Sequence, residues 1–344
     1  MSSTTDRFID AVFDFESAVH AQDSQAQQQA HSELHRCYQS ATPEELAQGG
    51  KRLAELLPDV PTGPRANIAV LIGACVEGGA DPVACAPGVL ANLAITLGGA
   101  KEFAEKWTAA ADGVDVPDPE QFELDPDLFE IFGFHQTLAW WTLDLWSRAG
   151  LAMLQHREVR QKFGHSGREI IRERHDALGE ISDRWDKCLG YALIVLDDEP
   201  VIVLHRETGT GYAMRMTGIG DNFQLHTLLA DALIGGGHIP GEAPAAEAVA
   251  MCRDMPGMVE TTGSFNLAAP DGSWIWNEGT PSDIPAVDGT RLLVLDPPPY
   301  PRIWPAGRFF PDMVGDLTLE RVLTANETAA WFRHVSPAKD SNED

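Results

Sequence analysis

The sequence predicts an α+β protein: an all-α N-terminal part followed by a C-terminal α+β part with a mainly antiparallel sheet. Three observations predict it. Apolar residues recur at helical spacing through the first 188 residues. At Leu189 the pattern changes to short apolar runs that alternate with turn residues. Those runs are joined by turns too short for the crossovers that parallel strands require. The expected organisation is a helical domain over 1–188, with an acidic loop at 112–132. An α+β domain over 189–335 and a disordered polar tail at 336–344 follow.

In the first helix Val12, Phe15 and Val19 fall on one face, and 25–38 continues as a polar helix with Leu34 and Tyr38 turned inward. Thr42-Pro43-Glu44-Glu45 combines a capping box with proline at the first helical position, where a missing N–H costs nothing. Gly63-Pro64 opens a helix with Ile68, Leu71, Ile72, Cys75 and Val76 on its apolar face. Asp81-Pro82 opens another with Leu90, Leu93, Ala94 and Leu97. Gly78-Gly79 and Gly98-Gly99 supply the expected stops. Helix starts about 20 residues apart resemble the period of HEAT-like helical hairpins, while a plain helical bundle fits the same pattern.

Between Lys106 and Arg148 there is no Lys or Arg, but there are nine acids, and Pro117, Pro119 and Pro126 interrupt any helix. This segment reads as an extended acidic loop. The helix expected over 135–155 is apolar nearly all round and should be buried at the centre of its domain. The basic stretch 157–187 is expected to neutralise the acidic loop through exposed pairs, each contributing about 0–1 kcal/mol.

Downstream, 191–196, 201–205 and 212–216 read as three strands of a meander. Asp221 caps a helix that stops at Gly235-Gly236-Gly237, and 243–252 forms another helix. Strands are expected at 273–276 and 291–295, with a closing helix over 317–332.

Composition narrows the function. The chain has 344 residues, with 52 Asp and Glu against 25 Lys and Arg, for a net charge of −27. That charge repels phosphate backbones and anionic lipid headgroups, so neither nucleic acid nor a membrane surface is expected as partner. A basic protein partner fits it. The longest apolar stretch, 66–76, is short of the ~20 residues of a membrane span, and the N-terminus lacks the apolar core of a secretory signal. Cys37, Cys75, Cys85, Cys188 and Cys252 are scattered, odd in number and without a C-x-x-C pair. They read as reduced thiols of a cytoplasmic, bacterial-type protein.

Two places carry candidate chemistry. Gly218-Ile219-Gly220-Asp221-Asn222-Phe223 begins like a phosphate-binding loop, but Phe223 stands where the third glycine belongs and Asp221 sets a carboxylate against the phosphate position. Glycines in a turn, with Asp221 as helix cap, explain the string more simply. His205, Asp221 and His226, with Glu278, are the candidate catalytic set, two imidazoles and carboxylates of a type that also binds metal. Their spacing does not require a metal, and no cofactor fingerprint is complete. Trp274, Trp276 and Trp304, near Tyr300, are candidate binding residues, although packing is the commoner fate of tryptophan. No nucleophile elbow or cysteine–histidine context is recognisable.

The resulting expectation is a non-enzymatic protein-interaction or scaffold protein. The alternative is a small-ligand-binding protein or a metal-dependent enzyme with its site near Asp221 and His226.

Overall fold

The computed structural model describes residues 7–110 and 114–339. The order of elements is α+β as expected, and the chain divides into two compact units, 1–193 and 194–344. Residues 111–113, which open the expected acidic loop, and 340–344 of the expected tail lie outside the described residues.

Among the described residues, nine helices build the N-terminal unit: α1 (Arg7–His20), α2 (Ser24–Tyr38), α3 (Pro43–Leu56), α4 (Thr62–Glu77), α5 (Pro82–Ala110), α6 (Asp127–Phe132), α7 (Phe134–Leu154), α8 (Arg157–Gly179) and α9 (Lys187–Ile194). The capping box at α3 is present: Thr42 accepts from the Glu45 N–H, and Glu45 accepts from the Thr42 N–H. α5 packs on α3, α4, α7 and α8, and α7 packs on α4 as well. A solenoid repeat touches only its neighbours, so this arrangement is a bundle. Its centre is the α5–α7 pair, with Leu90, Leu93, Phe103, Trp140, Leu143 and Met153 all buried.

Gly98-Gly99 does not end a helix. α5 runs through both residues for 29 positions. The reason is packing: a Cβ on Gly99 would stand 2.9 Å from the Ala139 Cβ of α7, so bare backbone lets the two helices close. By length and composition α5 is also apolar enough to cross a bilayer, although no unbroken apolar run marks it in the sequence. In this fold its buried side chains, Val89, Leu90, Leu93, Leu97 and Phe103 among them, meet the bundle, while Ile95 is exposed.

The acidic segment is held differently from the expectation. Its last part coils into α6. No base of α8 pairs with its carboxylates among the described residues. Arg172 pairs with Glu169 and Asp176 of its own helix, Arg174 donates to the Ala94 carbonyl, and Arg160 donates to the carbonyls of Leu154 and Gln155. Indoles anchor the loop instead: Trp107 Nε1 donates to Val114 O (3.1 Å), Trp140 Nε1 to Pro117 O (2.8 Å) and Trp141 Nε1 to Phe122 O (3.4 Å). A proline-broken loop exposes unpaired carbonyls, and those are what the indoles satisfy.

The C-terminal unit contains β1 (Glu199–His205), β2 (Thr210–Thr217), α10 (Asn222–Ala230), α11 (Ala246–Arg253), β3 (Val259–Thr262), β4 (Asn266–Ala268), β5 (Ala286–Val287), β6 (Thr290–Asp296), β7 (Ile303–Ala306), β8 (Asp316–Val322) and α12 (Ala325–Phe332). The main sheet has the order β4-β6-β1-β2-β8, with β5 beside β6. Its pairs are antiparallel except β1–β6. Alternation sorts its faces. Val201, Val203, Met214, Leu293 and Leu295 pack with α10 and α11, while Ile202, Leu204 and Leu292 pack with Trp331 and Phe332 of α12.

Three expected elements differ. Residues 187–194 are helix α9 rather than a first strand, because the Asp186 side chain accepts from the N–H groups of Cys188 and Leu189 and starts a helix there. An apolar run of that length suits either state. Residues 273–276 contribute a single bridge, Ala268 to Trp274, rather than a strand. The closing helix divides: Leu317 and Leu319 alternate in β8, and a capping box at Thr324 and Glu327 starts α12. The backbone of 336–339 is attached, with the Ser336 N–H on Pro270 O and the Lys339 N–H on Gly272 O.

β3 and β7 form a separate two-stranded ribbon, with Val259 opposite Ala306, Glu260 opposite Pro305, Thr261 opposite Trp304 and Thr262 opposite Ile303. The Gly263 N–H donates to Arg302 O, so the hydrogen-bonded pairs are Gly263–Arg302, Thr261–Trp304 and Val259–Ala306. Glu260 and Thr262 therefore direct their N–H and C=O away from β7. Pro305 occupies a position where β7 needs no N–H toward β3.

Gly99→Val is expected to overpack the α5–α7 contact and destabilise the protein by about 1–3 kcal/mol. Gly63→Ala, with open space around it, should be neutral or up to about 1 kcal/mol stabilising. Urea unfolding midpoints of the two variants check this contrast.

Candidate functional site

The corner between β2 and α10 places Asp221 and His226 as the sequence suggested, and the local fold uses both. Gly218 has φ +65°, and a Cβ there would stand 2.1 Å from the Val314 carbonyl oxygen. A Cβ on Gly220 would meet Phe309 at 2.9 Å. The Gly220 N–H donates to Gln224 Oε1 (2.9 Å), and Gln224 Nε2 donates to Cys252 O (2.7 Å). Asp221 caps α10 by accepting the Gln224 N–H at 2.8 Å. The Asn222 N–H donates to Gly279 O (3.0 Å) and its Nδ2 to Trp276 O (2.9 Å). The Gly220 and Asn222 N–H groups, which would face a phosphate in such a loop, thus already have partners in the chain.

His226 is buried, at 1 % exposure. Its Nε2 accepts from two backbone N–H groups, Ser264 at 2.9 Å and Phe265 at 3.2 Å. An acceptor nitrogen carries no proton, so the proton of the neutral ring sits on Nδ1, toward the Asn277 side chain. Burial, reinforced by the nearby Arg302 guanidinium and opposed by Asn277, lowers the His226 pKa to about 3. With its Nε2 lone pair committed, the ring is a latch between α10 and the chain after β3.

The other candidates lie apart in role. His205, at the end of β1, is buried with Nδ1 2.9 Å from Thr208 Oγ1, and burial lowers its pKa. Its ring and that of His226 both contact Phe265, with centroids 6.3 and 5.4 Å away. Glu278 is at the exposed tip of the turn closed by the Gly279 N–H on Trp276 O. Among the described residues no three His, Cys, Asp or Glu side chains gather as a metal-ligand set. Trp274 and Trp276 pair at 5.5 Å, and Trp274 Nε1 donates to Lys339 O. Trp304 is buried and makes its ring contacts with Phe223 and His226 (5.5 and 4.8 Å). The tryptophans do not line one groove.

Sequence reasoning missed two features. Around His226, the buried atoms Asn222 Oδ1, Arg302 Nε and Trp304 Nε1 have no hydrogen-bond partner among the described residues, while His226 Nδ1 and the Asn277 side chain face each other. Asparagines and an arginine distant in sequence give no local signal of such a cluster. The other feature is the β3 edge. It borders a cavity of about 340 Å³ whose far wall is Pro240–Ala245 and whose lining includes Ile234, Glu242, Glu260 and Thr262. Here a signal exists: the β-branched run Val259-Glu260-Thr261-Thr262 sits between Gly257 and Gly263.

No family model matches this chain, and no curated protein or solved structure is similar to it. The site is read from its own chemistry.

In the N-terminal unit a cavity of about 660 Å³ opens between the acidic loop and the turn after α8, lined by Asp115, Asp118, Trp140, Glu180, Asp183 and Arg184 among others. Its aromatic face is already covered: the Arg184 guanidinium stands 4.8 Å over Trp140 and pairs with Asp144 at 2.6 Å. Cys75 and Cys85 are free, and burial pushes both thiols up to about 12.

The lowered pKa of His226 makes the unfolded chain bind one proton more than the folded one between about pH 6.5 and 3. Its contribution to stability is full above pH 6.5 and declines as pH falls, by about 1.4 kcal/mol per pH unit. His226→Gln should be less stable than wild type at pH 7, with the difference shrinking by pH 5. Urea unfolding of both proteins at the two pH values measures it.

Proposed function

We propose that this chain is a non-catalytic binding protein that receives a segment of a basic protein partner on its C-terminal unit. The β3–β7 ribbon carries this reading. Its solvent face presents Glu260, Thr262, Ile303 and Pro305, with Ile303 67 % exposed and the adjoining Met258 69 % exposed. Large exposed apolar side chains beside an unpaired strand edge are the usual marks of a protein contact. The net charge of −27 favours a basic partner and speeds its encounter at low salt. Catalysis gains no such support, since His205, Asp221 and His226 are each occupied by local hydrogen bonds.

One observation favours a second reading, a small polar ligand near Asp221 and His226. Three buried polar atoms there, one acceptor and two donors, lack partners among the described residues. Ordered water can meet the same need.

Affinity capture from host cells with wild type and the Ile303→Glu, Met258→Asp double variant separates these readings. The expected result is a protein held by wild type, weakened at least about tenfold by the variant, with unchanged circular dichroism. Equal capture by both proteins removes the ribbon from the account. A small molecule retained at one per chain in native mass spectra favours the second reading.

A further inference from the structure

We infer that the cavity beside β3 takes an extended segment with alternating apolar and basic residues, which joins the β3–β7 ribbon as a third strand. This rests on the binding reading above and specifies how the partner is held. Ladder register decides which groups are available. Glu260 and Thr262 send their N–H and C=O groups outward, and no described backbone group meets them. These four groups are spaced as a neighbouring strand requires, at two-residue intervals on one edge. The cavity lies along that same edge, with Glu260, Thr261, Thr262, Gly263 and Ser264 forming one wall.

The opposite wall stands off from the strand. Pro240, Gly241, Glu242, Ala243, Pro244 and Ala245 form it, and its two prolines have no N–H to offer β3. A volume of about 340 Å³ between the walls leaves room for a short piece of extended chain. The Pro240–Ala245 wall thereby covers the edge without pairing with it. A free edge is an aggregation hazard in most proteins, and a partly shielded edge admits a guest more selectively.

Chemistry of the lining selects that guest. Ile234 and the Ala243-Pro244 segment supply an apolar side, while Glu242 and Glu260 supply two carboxylates. Among the described residues no Lys or Arg lines the cavity. Successive side chains of a strand point to opposite faces, so one set of guest residues meets the apolar lining and the other meets the carboxylates. An acidic guest would meet only like charge, which disfavours it.

The test uses the full chain and a capped hexapeptide of alternating Val and Lys at about 1 mM, a concentration that detects weak binding. Hydrogen–deuterium exchange should slow at the Glu260 and Thr262 amides, and the effect should fade as salt is raised. The Val-Glu hexapeptide should give no protection. Thr262→Pro removes one outward N–H without touching the ladder to β7, and should weaken binding at least about tenfold. Glu260→Gln with Glu242→Gln should weaken it too while leaving the unfolding midpoint in place, which covers the case in which the proline variant fails to fold.

Protection elsewhere, equal binding of the acidic peptide, or no binding overturns the inference. If the host partner is still lost with the Ile303→Glu, Met258→Asp variant while the peptide leaves Glu260 and Thr262 unprotected, the ribbon reading stands and strand addition falls. Loss of both results ends both.

Discussion

Two backbone N–H groups, on Ser264 and Phe265, converge on the Nε2 lone pair of a buried neutral imidazole, His226. In a dry interior such a bifurcated acceptor fixes the ring, its tautomer and the chain that donates to it. Ser264 and Phe265 lie in the short link between the ribbon strand β3 and the sheet strand β4. Fixing them to α10 fixes the register of β3 against β7, and with it the amides that face outward. One interior lone pair thus governs an exterior edge. The rings of Phe265 and Trp304 pack directly on the latch, and Phe223 packs on Trp304 behind it.

The N-terminal unit solves a different problem. Its acidic, proline-broken segment has carbonyls to satisfy and carboxylates to keep apart. Indole N–H groups of Trp107, Trp140 and Trp141 satisfy carbonyls, and they do so without salt-sensitive ion pairs. Asp118 and Asp125 accept from nearby backbone N–H groups and so serve as turn formers. In α8, Arg160 donates to carbonyls at the end of α7, Arg174 donates to the Ala94 carbonyl, and Arg172 pairs with acids of its own helix. The excess negative charge therefore stays at the surface, where it acts on what approaches.

The elements that were legible in the sequence carry local signals. The Thr42 capping box, the Gly78 stop, the Asp221 cap and the apolar α7 are written within a few residues of where they act. Misreadings arose where two local signals competed or where a distant contact decided. Gly98-Gly99 resembles a helix stop until Ala139 is placed against it. The stretch 191–196 reads as a strand until Asp186 caps a helix that runs through Ile194. Leu317 and Leu319 fit either period over so short a span. At the candidate site the same division holds: Asp221 is recognisable as a cap, while the partners of His226, 38 and 39 residues away, are not. The β3 edge depends on register, a property of two strands that a single stretch of sequence does not contain.

Pro305 gives the ribbon a direction. Because its nitrogen carries no hydrogen and points to the flank of β7 opposite β3, that flank cannot be extended by regular pairing. Lateral growth is confined to one side, and a visitor on that side meets the Pro240–Ala245 wall beyond it. A strand added to this ribbon would therefore pair at β3 alone, and regular stacking of ribbon on ribbon is blocked at β7.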